Sequence, residues 1–269
     1  MRALTESWQR ISAMLLRHWY LLRKSPIRLG ELAYWPTMQM IMWGYLAKYL
    51  TVPGAPVAAQ AGGLLIAGVL LWDVLFRSQI GVALSFLEEL YSRNLGHLFI
   101  SPLRPWELVA SMMLMSLGRT LFGVGIAASF AVLVHGYSIL GLGPGLAAFF
   151  GNLMVLGFAF GLAAAALVLR YGLAAENFAW GFVFAIAPIS GIYYPVSVLP
   201  VWLQPIARAL PSTHVFEGMR ALGIEGVFRW DYFWNAVGLN FVYLALAALA
   251  FVIAFRSARE MGLLLQSGE

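Results

Sequence analysis

Apolar residues run through this chain in long blocks, separated by short polar or Pro/Gly-rich passages. Over Met1–Leu22 the apolar positions Leu4, Trp8, Ile11, Leu15, Trp19 and Leu22 recur at steps of three and four, with Arg2, Glu6, Arg10 and Arg17 opposite them. That period is an amphipathic helix, and a Trp-bearing stripe backed by arginines suits one lying on a membrane surface. No apolar stretch with a small-residue cleavage site follows the basic start, so the helix is expected to remain in the mature protein. A basic connector, RKSPIRLG, leads to the first continuous apolar block, Glu31–Leu50, whose opening turn tolerates Pro36. Further blocks cover Ala61–Leu87, Trp106–Val134, Leu146–Leu169, Phe178–Tyr194 and Phe233–Phe255, with TVPGAPVAAQ and HGYSILGLGPG as turns. A bilayer core about 30 Å thick takes about 20 apolar residues of helix, so these blocks predict about six transmembrane helices.

Two passages break the pattern. Between the second and third spans lies a dense polar stretch, with a helix predicted from about Glu88 to Phe99 and Pro102 and Pro105 turning the chain into the next span. From Pro195 to Trp230 the apolar pieces are too short to span and are punctuated by Pro195, Pro200, Pro205 and Pro211. Such pieces are poorly placed in water, which predicts a re-entrant hairpin dipping partly into the membrane.

Composition supports the same class. The 269 residues are 61% hydrophobic and 11% charged, with a mean hydropathy of +0.80, against about 25% charged in soluble domains. The expected fold is all-α and integral to the membrane: a cytoplasmic amphipathic and connecting region over 1–30, one transmembrane domain over 31–256 and a polar cytoplasmic tail over 257–269. With the N-terminus inside, Arg2, Arg10, Arg17, Arg23, Lys24, Arg28, Arg93, Arg104, Arg170, Arg256 and Arg259 lie on one side and only Lys48, Arg208, Arg220 and Arg229 on the other. Basic residues are retained in the cytoplasm, so both termini are expected there.

The candidate chemistry is sparse. Without cysteine there is no disulfide or thiolate site, and His18, His97, His135 and His214 are scattered, so no metal site and no catalytic residues are expected. No G-x-x-x-x-G-K-[ST] phosphate loop occurs, so the chain does not hydrolyse ATP by that route. Asp73, Arg77 and Arg119 interrupt otherwise apolar spans, where each charge costs about 2.5–3.5 kcal/mol and calls for a partner. Two arrangements fit: Asp73 pairs with Arg119 across the hairpin of the second and third spans, or with Arg77 one turn away while Arg119 extends toward the interface.

The stretch FLEELYSRNLGHLFISPLRPWELVASMMLMSLGRT resembles the cytoplasmic segment of type-2 ATP-binding-cassette (ABC) exporter permeases, and SGIYYPVSVLPVWLQPIARALPSTHVFEGMRAL resembles the outer re-entrant hairpin of the same family. The resemblance implies a multi-pass subunit of the bacterial inner membrane that exports an amphipathic drug, lipid or lipid-linked molecule by alternating access. Its partners would be two copies of a separate ATPase, which would hold ATP and Mg, a second permease chain forming a homodimer, and membrane lipid, with no nucleic acid. No cofactor would be bound by this chain. Glu88, Glu89, Leu90, Arg93 and Leu98 become the residues of a coupling helix that seats in the ATPase, with the two carboxylates at its N-terminal turn. At the outer gate the resemblance points to Tyr193, Tyr194, Pro195, Pro200, Trp202, Pro205, Glu217 and Arg220; the aromatics suit an interfacial belt, and Glu217 and Arg220 stand at helical pairing distance. A polysaccharide or glycolipid exporter permease is the alternative within transport. From another class, an ATP-independent membrane scaffold or an integral membrane enzyme remains, though no Ser/His/Asp cluster favours the enzyme.

Overall fold

The computed structural model describes residues 2–50, 56–92 and 94–260. Among them there is no strand, and the α-helices are α1 (Arg2–Arg23), α2 (Pro26–Leu50), α3 (Pro56–Tyr91), α4 (Leu95–Ile100), α5 (Pro105–His135), α6 (Pro144–Tyr171), α7 (Glu176–Ile186), α8 (Gln204–Arg208), α9 (Pro211–Glu225) and α10 (Trp230–Glu260). The all-α membrane architecture is therefore as expected. Four helices contain stretches long and apolar enough to cross a membrane: Gly62–Tyr91 of α3, and α5, α6 and α10. The other two expected spans differ. Helix α2 has 25 residues, enough length, but carries Arg28, Glu31 and Lys48. Helix α7 has only 11, because the chain tightens into a 3-10 turn over Ala187–Ile189, where Pro188 lacks an N–H, and reverses at Gly191, whose φ of 73° suits glycine.

Helices α3 and α6 form the buried centre, α5 and α2 pack on one side and α10 on the other. Glycine sets the central seam. A Cβ on Gly157 would run into the Ser78 side chain, and one on Gly161 would lie 2.6 Å from the Gln79 carbonyl oxygen and 2.7 Å from Val82 Cβ. Only a bare backbone allows so close an approach, as is common between membrane helices. Across the α3–α5 contact, the Ser116 hydroxyl donates to the Ser78 carbonyl at 2.8 Å, and Asn240 of α10 donates to Asn152 Oδ1 of α6 at 2.9 Å. Two apolar cores result, one around Leu70, Leu71, Phe149, Phe216 and Met219, the other around Phe86, Leu87, Leu108, Met112 and Phe251. The first lies beside α9, at what is here called the hairpin end. The second lies toward α1, at the basic end.

Helix α1 is packed more deeply than a surface helix. Ser7, Ile11, Met14, His18 and Leu22 form its buried face, turned to α5 and α2, while Trp8 and Trp19 stay exposed. The apolar arc is wide enough to serve two surroundings, protein along one edge and the membrane interface along the other.

Candidate functional site

At the basic end, α3 continues to Tyr91, so Glu88 and Glu89 sit in its last turn and not at the start of a coupling helix; the helix expected over 88–99 is instead the end of α3, a break and the six-residue α4. Two carboxylates at a helix C-terminus meet the negative end of the dipole, the reverse of the expected stabilisation, at a cost of about 0.3–1 kcal/mol each. Cations from three other helices offset this. Glu88 faces Arg28 of α2 at 2.9 Å, Arg119 of α5 at 3.4 Å and His18 of α1 at 3.5 Å. Glu89, fully buried, takes Arg17 of α1 at 2.9 Å and the Asn94 side-chain amide at 2.8 Å. A third carboxylate, Glu107 in the first turn of α5, accepts Arg10 through both oxygens at 2.9 Å and the backbone N–H of Arg104 at 2.9 Å. Paired charges of this kind bind the ends of α1, α2, α3 and α5 into one node.

The remaining residues expected to couple fall on either side of the node. Leu90 is half-buried against the basic-end core and Leu98 is buried in it, while Arg93 lies outside the described residues. What this segment offers outward is Tyr91, His97, Trp106 and above all Ile100, 85% exposed.

Within the membrane, Asp73 accepts Arg77 Nε at 2.6 Å, one turn away on the same helix. The guanidinium lies over Gly123 of α5, where a Cβ would meet it. Arg119 does not reach Asp73 and pairs with Glu88 instead, buried at 8% exposure. The extension of α3 to Tyr91 explains the difference, since it sets Asp73 about one helical turn deeper than Arg119.

At the hairpin end, Glu217 and Arg220 pair at 3.0 Å and clamp the reversal that follows α7. Glu217 Oε1 accepts the Val196 N–H at 2.8 Å, and Arg220 donates to the Gly191 carbonyl at 2.6 Å. Tyr193 stacks on Trp43 of α2 with ring centres 4.9 Å apart, and the Tyr194 hydroxyl donates to the Pro188 carbonyl at 2.6 Å. Pro195 opens the next 3-10 turn. Pro200, Trp202 and Pro205 are not brought into this cluster; they lie on an exposed rim, with Trp202 at 71%.

A chain with a charged node at one end, a proline-broken hairpin at the other and apolar helices between them matches the sequence profile of the ABC-2 type transporter family over residues 10–223. The chain belongs to that family. No curated protein matches it. An ABC-2 type transporter of this kind is the multi-pass membrane component of an ABC transporter and works with an ATPase partner. The match covers both the charged node and the clamped hairpin of this ABC-2 permease, and ends before α10 begins.

Sequence reasoning on the permease located Glu88 and Glu89 but missed their partners Arg17, His18, Arg28 and Asn94, and missed Glu107 and its partner Arg10 altogether. A signal existed in the buried-face positions of α1. His18 falls on the same helical face as Ile11 and Met14, and a polar residue in an apolar face calls for a charged or hydrogen-bonding neighbour.

Proposed function

We propose that this ABC-2 permease exports an amphipathic molecule, a drug, lipid or lipid-linked compound, by alternating access in an assembly of two permease chains and two ATPase chains. Its basic end, with both termini, faces the cytoplasm of a bacterial inner membrane, as the distribution of arginines favours. The exposed side chains of Tyr91, His97, Ile100 and Trp106 dock on the ATPase, and Glu88 and Glu89 act behind them, holding the docking segment to α1, α2 and α5. ATP and Mg bind on the partner. Closure of the ATPases pushes the segment, and the node passes the push to the α3–α5 hairpin. The exposed faces of α5 and α10 are apolar, which suits a cargo with a hydrocarbon portion.

One observation carries this reading: Leu98 anchors α4 in the basic-end core while Ile100, two residues on, stands almost fully in the open. We read this apolar side chain, held out by an anchored segment beside the charged node, as a docking contact. Ile100→Glu should leave membrane insertion and thermal stability unchanged but reduce co-purification of the ATPase by roughly tenfold or more, as expected when a charge replaces a central apolar contact. Normal co-purification and normal coupled ATP hydrolysis in this variant would refute the docking role.

A further inference from the structure

His18 is fully buried between α1, α3 and α5, yet neither ring nitrogen has a hydrogen-bond partner. Nδ1 points at Glu88 Oε2 from 3.5 Å and Nε2 at Glu89 Oε1 from 3.8 Å. The nearby cations use other oxygens: Arg28 of α2 takes Glu88 Oε1 and Arg17 of α1 takes Glu89 Oε2, shared with Asn94, while Arg119 of α5 touches Glu88 Oε2 only at 3.4 Å. Glu89 Oε1 is itself buried and without a hydrogen-bond partner. A neutral imidazole has one N–H, so it serves one carboxylate and turns a lone pair toward the other. An imidazolium has two, one for each.

We infer that His18 is a proton-operated latch: protonation draws the His18 turn of α1 onto the last turn of α3 through both carboxylates, and loss of the proton loosens that contact while Arg10–Glu107 and Arg17–Glu89 keep α1 attached. The arrangement accounts for a buried polar side chain that is otherwise unsatisfied, a condition that costs free energy while α1 is docked. Arg17, Arg28 and Arg119 oppose the added charge and keep it from being permanent; Arg10 and Glu107 neutralise one another farther along α1. The sign follows from the donor count: the proton supplies the second N–H, so docking is strongest in acid and weakens as the pH rises. The inference concerns the position of α1 alone and stands apart from the ATPase docking proposed above.

The chain contains no cysteine, so Ala13→Cys on α1 and Arg170→Cys at the end of α6 give two unique spin-label sites, both exposed. The full-length labelled chain, diluted with unlabelled chain in lipid nanodiscs, reports the intrachain distance. Between pH 5.5 and 8 a single short distance should give way to a broader, longer population. His18→Gln should abolish the pH dependence, and Glu88→Gln should move its midpoint to lower pH by removing one acceptor. A distance distribution that ignores pH in the otherwise unaltered chain, or a pH dependence that survives in His18→Gln, overturns the latch. If His18→Gln does not fold, Glu88→Gln decides, and an unshifted midpoint overturns it equally.

Discussion

The charges of this permease fall into two groups that obey different rules. Asp73 and Arg77 are nearly sealed from their surroundings and, among the described residues, pair with each other, whereas the carboxylates of the basic end share several cations. Removing one member of a sealed pair leaves a bare charge in a medium that cannot solvate it, so Asp73→Asn should cost about 3–5 kcal/mol. Adding Arg77→Met should return a large part of that loss. Because Arg119 pairs elsewhere, the effects of Asp73→Asn and Arg119→Met should add within about 0.5 kcal/mol. Thermal denaturation in detergent measures all three; a strong coupling between positions 73 and 119 would contradict the pairing described above.

Helices reveal themselves in sequence to the extent that one neighbour dictates their pattern. The four strongly apolar helices, α3, α5, α6 and α10, were legible as spans because lipid and protein interior both ask for apolar side chains, and the ambiguity between them does not alter the outcome. The hairpin was legible through its prolines. Helix α1 was legible as an amphipathic helix but not as a packed one, because Ser7 and His18 on its buried face read as polar breaks. The overrun of α3 past Glu88 was hidden because Glu, Leu and Tyr continue a helix as readily as they start one. Seams between helices leave the faintest trace: nothing near Gly161 announces a backbone contact with α3. That seam makes its own prediction. Gly161→Ala should force α3 and α6 apart and cost about 1–3 kcal/mol, the usual range for overpacking, whereas Gly151→Ala, with open space around the added methyl, should be neutral or slightly stabilising. Melting temperatures of the two variants give the comparison directly.

The whole molecule has two chemically unlike ends, a property that reporter fusions can read. Fusions after Leu50, Ile139 and Arg208 should register outside, and fusions after Asn94, Tyr171 and Ser257 inside. An outside signal at Asn94 would place the docking segment on the wrong face of the membrane. Between those ends runs α3, with 36 residues the longest described helix. At 1.5 Å per residue it is about 54 Å long, well beyond the hydrocarbon thickness. Its far end carries Glu88 and Glu89, and its flank is fused to α6 by the glycine seam. A rod held at Ser78–Val82, nearer its charged end, is a lever with a fulcrum. Tilting it by about 5° about that point moves the charged tip by about 1.5 Å and the opposite tip by about 3 Å the other way, so a small displacement at the charged end returns, roughly doubled, at the opposite surface.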